Sequence, residues 1–281
     1  MRLPSGIPST TEYESLVAQP FFRDIEQFSS AFLAANHSAL EEYRRKWVDD
    51  PLHQWSRQWE YPFVLGLLAE EAGRRPGEKL RVLDAGSGVT FFPHLIASRL
   101  GATVACLDYD PALTGIFAGL REDAHQRLSF AVGDLHRLAA PDGSLDAIYC
   151  VSVLEHTRDY QEIIREFRRV LAPAGLLVVT YDISLDGRTD IAPDAADRLL
   201  EALAGEFDPI DPGAAGKVSE RVARPERVTT GYFRTKRPEL LPWRAAPPSG
   251  LRGLVARLGR PVAPAPFYDL TFDCQAYRRA R

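Results

Sequence analysis

Arg81-Val82-Leu83-Asp84-Ala85-Gly86-Ser87-Gly88-Val89-Thr90-Phe91-Phe92 is an apolar run that breaks into an acid and two glycines and then resumes as a helix. Leu80 to Leu83 suits a buried strand, Gly86 and Gly88 permit a tight turn and close approach of a ligand to the backbone, and a helix beginning near Thr90 offers free N–H groups. The same residues also suit a plain glycine turn between a strand and a helix, because short glycine motifs recur by chance. The rest of the chain decides between the two.

Downstream, strand and helix patterns alternate: Leu80–Leu83 then Phe92–Leu100, Thr103–Leu107 then Pro111–Ala124, Leu128–Val132 then a loop, Ala147–Val151 then Tyr160–Leu171, and Gly175–Tyr181. Such alternation predicts an α/β fold with a parallel sheet and helices on both faces. Ligands of such sheets sit over the carboxyl ends of the strands, where the strand order switches, and Asp84, Asp108 and Asp134 all fall at or just beyond strand ends. Upstream, Phe21 to Leu33 and Leu40 to Trp47 carry helical spacing, and Pro62 suits the first turn of a third helix running to about Ala72. Beyond Tyr181 the pattern gives a helix over Ala192–Leu203 and a last strand over Phe267–Tyr277, antiparallel at or near the sheet edge. Between them, Asp208 to Pro264 is rich in Pro, Gly and Arg, and its length argues for an ordered insertion or lid. The expected organisation is an N-terminal helical cap over 1–78, a core over 79–207, and the insertion with the final strand over 208–281.

Composition narrows the function. With 281 residues, 45% of them hydrophobic, a sizeable core is affordable, and a formal charge of −4 gives no general attraction to nucleic acid or an anionic membrane. No apolar run reaches the roughly 20 residues of a membrane helix. The stretch Met1–Gly6 lacks the apolar core of a signal peptide, so the expected location is the cytoplasm. Cys106, Cys150 and Cys274 are scattered through strand patterns without metal-ligand spacing, which predicts buried free thiols and no metal site.

In the order of these motifs the chain resembles the class I S-adenosylmethionine-dependent methyltransferases, in particular their small-molecule group, across Leu80 to Tyr181. The resemblance implies a Rossmann-like, seven-stranded, mostly parallel sheet with S-adenosylmethionine as cofactor. Residue by residue, it implies that Asp84, Gly86 and Gly88 receive the cofactor's methionine portion. It implies further that Asp108 accepts from both ribose hydroxyls, and that Asp134 and the backbone of Leu135 meet the adenine. The residue chemistry agrees: a diol needs a bidentate acceptor, and an exocyclic amine needs an acceptor beside a donor. Each acid also has a local structural use, Asp84 near a helix start, Asp108 in the Asp110-Pro111 turn and Asp134 in an Asx turn. Thr90 stands where a third glycine is common in the family and suits a cap for the next helix. Phe91 departs from the Gly-x-Gly-x-x-Gly of dinucleotide oxidoreductases.

The implied reaction is methyl transfer to the oxygen or nitrogen of a small molecule or glycoconjugate, and the alternative is a noncatalytic S-adenosylmethionine-binding scaffold. His156, just beyond strand four, is the candidate base, with Tyr181-Asp182 as a second candidate on the acceptor side; Glu155-His156 also suits a purely structural loop, and His94 reads as structural. The acceptor pocket is expected from the N-terminal helices and the Asp208–Pro264 segment. Tyr13, Phe21, Phe22, Trp55, Trp59, Tyr61, Phe91 and Phe92 are candidates to roof it, although aromatic stripes are more often core. Nucleic acid as acceptor is disfavoured by the acidic balance.

Overall fold

The computed structural model describes residues 1–121, 127–214, 216–241 and 267–280. Four helices precede the first strand. Helix α1 (Thr10–Val17) opens on a reciprocal cap, in which the Ser9 hydroxyl accepts from the Glu12 amide and the Glu12 carboxylate accepts from the Ser9 amide. Helix α2 (Pro20–Ala35) starts on its proline, and α3 (Glu41–Lys46) places acids in its first turn and bases in its last, complementing its dipole.

Helix α4 (Arg57–Arg74) corrects the sequence expectation: it begins five residues before Pro62, which therefore lies inside it. Packing outweighs the lost hydrogen bond. Trp59 is fully buried and stacks near Tyr13, whose hydroxyl donates to the Trp55 carbonyl at 3.0 Å and lies 3.0 Å from Gln58 Oε1, so the segment before the proline is wound into the helix. The consequence is that Arg57 and Glu60 become helical neighbours on a buried face.

The core continues as β1 (Arg81–Ala85), α5 (Phe92–Leu100), β2 (Thr103–Asp108), α6 (Leu113–Ala118), β3 (Leu128–Val132), β4 (Leu145–Val151), α7 (Tyr160–Val170), β5 (Leu171–Ser184) and α8 (Pro193–Glu206). A short β6 (Phe207–Pro209), α9 (Val218–Arg221), α10 (Thr230–Lys236) and β7 (Leu270–Arg279) complete the described chain. The sheet has seven strands in the order β3-β2-β1-β4-β5-β7-β6, parallel except for β7, which runs antiparallel to both neighbours. The last strand is thus inserted beside the edge, which β6 occupies. The helix expected over 111–124 is described as α6 only, and residue 124 lies outside the described residues.

Alternation along the strands sends successive side chains to opposite layers. From β5, Leu176 and Val178 join the layer containing α4 and α5, whereas Leu177, Val179, Tyr181 and Ile183 join the layer containing α7 and α8. This parity corrects the placement of Tyr181 on the acceptor side: its ring is fully buried in the opposite layer and its hydroxyl donates to Asp273 Oδ2 at 2.6 Å. Asp273 also receives both terminal nitrogens of Arg221, at 2.7 and 2.9 Å, making a bidentate pair sealed from solvent. The three cysteines are buried and free, as the sequence predicts. No helix among the described residues is long and apolar enough to cross a membrane.

Because a buried pair costs most when one partner is removed, Asp273→Ala is expected to destabilise the fold by about 3–5 kcal/mol in urea unfolding. Replacing Arg221 and Asp273 together by leucines is expected to cost distinctly less, and equal losses would show that the pair's geometry is unimportant.

Candidate active site

The strand order switches between β1 and β4, and a cavity of about 930 Å³ opens over the carboxyl ends of the strands there. All seven residues singled out from the sequence, Asp84, Gly86, Gly88, Asp108, Asp134, Leu135 and His156, line it.

The end of β2 organises the floor. The Leu107 carbonyl accepts from the amides of Gly86 and Ser87 at 2.9 and 3.1 Å, and the Asp108 carbonyl accepts from Gly133 at 2.9 Å, so the loops after β1 and β3 are tied to the strand between them. The Asp108 carboxylate accepts from Gly88 at 2.9 Å through one oxygen and from Asp110 at 3.1 Å through the other. Each of these oxygens keeps a further lone pair. Gly86 and Gly88 both have positive φ, 78° and 53°. A Cβ on Gly86 would stand 2.4 Å from Val153, and one on Gly88 would stand 2.4 Å from the Tyr43 hydroxyl, so neither position admits a side chain without displacement. Thr90 Oγ1 accepts from the Phe92 amide at 3.3 Å, but the residue at the N-cap of α5 is Phe91, so Thr90 stands one position before the cap expected of it.

Asp84 is a residue of β1 itself and is buried at the cavity floor. Burial pushes its carboxyl up to about 8, the facing Tyr149 hydroxyl opposing that shift and Asp108 adding to it. Asp134 behaves oppositely. It is 71% exposed, and hydrogen bonds from the amide and ring of His136 hold its carboxyl below the usual range. This is the Asx turn that the sequence allows. Both bonds fall on Oδ1, and Oδ2 accepts none from the described residues.

His156 ends a short 3-10 turn (Leu154–His156), with its amide bonded to Val153 and its ring 61% exposed. Its Nδ1 lies 3.5 Å from Asp190, whose carboxyl is raised by burial, the nearby His156 acting against the shift. His94 is buried with its ring 4.7 Å from that of Phe32, a core contact.

Of the proposed aromatic roof, only Tyr61 and Phe92 line the cavity; Tyr13, Phe22, Trp55, Trp59 and Phe91 are core, and Phe21 is half-buried. The cap supplies instead Tyr43, Trp47, Val48, Pro51, Gln54 and Arg57. Burial lifts the Tyr43 hydroxyl to about 12, a hydrogen bond from the Val89 backbone opposing it, so this ring closes directly over the glycine loop. Trp47, Tyr109 and Val132 are exposed and line the cavity, which gives it an apolar rim. Arg57 was hidden from sequence reasoning because Pro62 was read into the first turn of its helix; a helix start at Arg57 is the signal that would have found it. The other correction concerns the late segment. Its described part, up to Leu241, contributes nothing to the cavity wall: α10 instead docks on α1, where Tyr232 and Arg237 both donate to Glu14 at 2.5 Å. Residues 242–264 of that segment lie outside the described residues.

Comparison with known proteins agrees with this architecture. Residues 83–179 match the family described as "Methyltransferase domain". A sterol 24-C-methyltransferase of Gibberella zeae is 35% identical over 40% of this chain and 30% of its own length. A ubiquinone biosynthesis O-methyltransferase of Xanthomonas oryzae pv. oryzae is 36% identical over 36% of this chain and 42% of its own. The chain thus spans less than half the length of either relative. The crystal structure of the [4+2]-cyclase SpnF covers 99% of both chains at 20% identity with a TM-score of 0.52, which is a likeness of fold. With that sheet order, the glycine loop and the matched segment in agreement, residues 83–179 are a methyltransferase domain of the class I S-adenosylmethionine-dependent kind.

Proposed function

We propose that the chain transfers the methyl group of S-adenosylmethionine to an oxygen or nitrogen of a largely apolar small molecule. The observation that carries this reading is the convergence of Asp84, Gly86, Gly88, Asp108, Asp134, Leu135 and His156 on one cavity with an apolar rim. Its size lies toward the upper end of small-molecule sites, which run from about 300 to 1,000 Å³. A cofactor and an acceptor side by side fit that description.

The residues suit the cofactor. Two glycines leave backbone exposed where a side chain has no room, the lone pairs of Asp108 suit a vicinal diol, and the unengaged Oδ2 of Asp134 suits an exocyclic amine. Asp84, whose carboxyl burial pushes up to about 8, is driven toward its charged form when an ammonium group approaches. When bound, S-adenosylmethionine supplies a methyl group on a cationic sulfur, open to in-line attack.

For such a displacement the protein's own work is alignment and exclusion of water. Tyr43, Val48, Pro51 and Tyr61 provide apolar surface against which an acceptor is held, and they favour a small apolar molecule over a glycoconjugate. His156 is the group positioned to take a proton from an acceptor hydroxyl, with Asp190 beside its other ring nitrogen to steady the resulting charge. The name of the ubiquinone biosynthesis relative is compatible with an oxygen acceptor, and that of the sterol relative with carbon. The scaffold alternative separates from the enzyme by a single readout, since a scaffold binds the cofactor without forming S-adenosylhomocysteine. Likeness to a cyclase in fold alone makes turnover the decisive measurement.

The reading is tested by S-adenosylhomocysteine formation with a panel of apolar phenols, alcohols and amines; binding without turnover across the panel would favour the scaffold. Asp108→Ala is expected to weaken cofactor binding by about 2–3 kcal/mol in calorimetry, since hydrogen bonds to a charged group contribute about 1.5–3 each and do not add fully. Unchanged affinity would remove Asp108 from the site. His156→Ala is expected to lower turnover of a hydroxyl acceptor by about 10²-fold or more with cofactor affinity nearly unchanged, and a fully active variant would exclude it as the base.

The raised Asp84 carboxyl adds a pH signature. Binding that favours its ionised form lowers its pKa, so below about pH 8 binding releases a proton and affinity rises with pH, by at most about tenfold per unit. Titrations with S-adenosylhomocysteine between about pH 6 and 8, in buffers of different ionisation enthalpy, read that proton directly. Proton uptake would overturn the assignment of Asp84.

A further inference from the structure

The turn between α3 and α4 supplies Trp47, Val48, Pro51 and Gln54 to the cavity wall, and His53 ties that turn to the rest of the cap. His53 Nδ1 lies 2.7 Å from Asp50 Oδ2, and its Nε2 lies 3.1 Å from Glu26 Oε1 on α2. Both ring nitrogens therefore face carboxylates. A neutral imidazole has one N–H and can donate to one of them, whereas the imidazolium donates to both. The hydrogen bond to Asp50 is the largest influence on the half-buried ring; with Glu26 adding to it and burial opposing, the His53 pKa rises to about 9, and the charged form prevails at neutral pH. Asp50 from the turn itself and Glu26 from α2 are the charged groups that act on it most strongly.

The ring is joined directly to the backbone of the wall. Asp50 Oδ1 accepts from the amides of Leu52 and His53 at 3.0 and 3.2 Å while Oδ2 takes the ring, so one carboxylate both folds Asp50 to His53 into a tight turn and holds the imidazole against it. Leu52 inside that turn is fully buried, and Pro51 and Gln54 on either side of Leu52 and His53 line the cavity. Helix α2, which carries Glu26, is itself seated on α5, the Phe32 ring centre lying 4.7 Å from that of His94. Glu26, His53 and Asp50 thus bridge a helix packed on the core to the wall residues. The further ties of the turn, Arg44 Nε to Asp49 Oδ1 at 2.7 Å and the Trp55 amide to the Leu240 carbonyl at 3.1 Å, lie toward its ends and leave its middle to the bridge.

We propose that His53 is the positioning residue of the acceptor wall: as an imidazolium bridging Glu26 and Asp50 it holds Trp47, Val48, Pro51 and Gln54 in place for the acceptor, and the wall loosens when the ring loses its proton. The inference rests on the acceptor reading above and gives acceptor binding a pH dependence of its own, separate from Asp84 and His156. Because the bridge raises the ring's pKa from 6.5 to about 9, it is at full strength below about pH 6.5, weakens as pH rises, and contributes nothing once pH has passed about 9. An acceptor held by preformed surface binds without first ordering that surface, so loosening the wall weakens acceptor binding before it touches the transfer step.

The test measures turnover of para-butylphenol, and of the rest of the phenol panel, at saturating S-adenosylmethionine on the full chain with and without His53→Gln, a side chain that can donate to one carboxylate and carries no charge. At about pH 7.5 the variant's KM for the phenol is expected to exceed that of the unaltered protein by about 2–5-fold, the factor that a half-exposed ion pair gives, with kcat changed less. The ratio of the two KM values is expected to fall to unity by about pH 10, and taking it at each pH removes the phenol's own ionisation. Glu26→Gln leaves the ring an acceptor without the charge; it is expected to move the His53 ring titration, read by NMR, from about 9 toward 6.5 and to lower the pH at which KM rises. A ratio of unity at about pH 7.5, or one that stays raised at about pH 10, overturns the proposal and leaves the transfer reaction standing. Hydrogen exchange of the amides of residues 50–54 at neutral pH needs no acceptor: faster exchange in His53→Gln is expected, and unchanged exchange overturns the bridge. Absence of turnover across the whole panel overturns the acceptor reading and the proposal together.

Discussion

Pairing of β1 with β4 is the constraint on which the site depends. The register aligns Val82 with Ala147, Leu83 with Ile148 and Asp84 with Tyr149, and each strand then turns away to its own side of the sheet. A parallel pair whose continuations diverge leaves a crevice beyond its last rung. Asp84 and Tyr149 are that rung, so the buried acid and the phenol facing it are placed by sheet hydrogen bonding and not by loop conformation. The neighbouring pair transmits the same order: β2 runs alongside β1 with Asp84 opposite Cys106, and its terminal Leu107 and Asp108 hold the loops on either side. Strands thus deliver Asp84 and Asp108, while Asp134 comes from the turn after β3 that the end of β2 holds in place.

Charge is arranged asymmetrically about that crevice. Toward β2 and β3 the Asp108 carboxylate accepts from backbone amides, and the exposed Asp134 carboxylate is held in its charged form by hydrogen bonds from His136. Toward β4, β5 and the cap, Glu60, Glu155 and Asp182 are withdrawn from water around a single guanidinium. One arginine balances one carboxylate there, and desolvation drives the remaining two toward neutrality. The Glu155 carboxyl still accepts from the Asp182 amide at 2.9 Å, so the loop carrying His156 is anchored to β5 by a group that needs no counter-ion when protonated. The cavity consequently has a polar wall suited to a nucleoside and an opposite wall on which Arg57 is the one Lys or Arg among the described residues.

How much of this was legible before the structure follows from range. Period-two alternation and glycine turns are local, so the strands, the helices between them and the acids at strand ends could be read from the chain. Parity was legible in principle as well: Tyr181 shares its side of β5 with Leu177 and Val179, which already argues against the cavity. What could not be read was anything decided by contacts distant in sequence. Trp59 and Tyr13 wind α4 past Pro62, and Tyr43 reaches Gly88 from a helix that precedes the whole core. The Glu14 contacts of Tyr232 and Arg237 likewise dock the described part of the late segment on α1, and up to Leu241 it does not line the pocket that its composition suggested it would cover.

The division of labour between core and cap bears on what the fold can imply about chemistry. The match to the methyltransferase domain lies in residues 83–179, part of the sheet with its loops, and a fold of this kind presents a cofactor without choosing a reaction. Choice requires surface that contacts the other reactant, and in the proposed reaction that surface is the part of the cavity lining supplied by α3, the turn after it and the first turn of α4. These elements are not free to vary independently of the cofactor: Tyr43 fills the space over Gly88, and Arg57 is bonded through Ser152 to the end of β4. An alteration in the cap that reshaped the acceptor pocket would therefore disturb the glycine loop or the clamp on Arg57 as well. In the proposed reading, acceptor recognition and cofactor placement are therefore mechanically joined, through the contacts of Tyr43 with Gly88 and of Arg57 with Ser152.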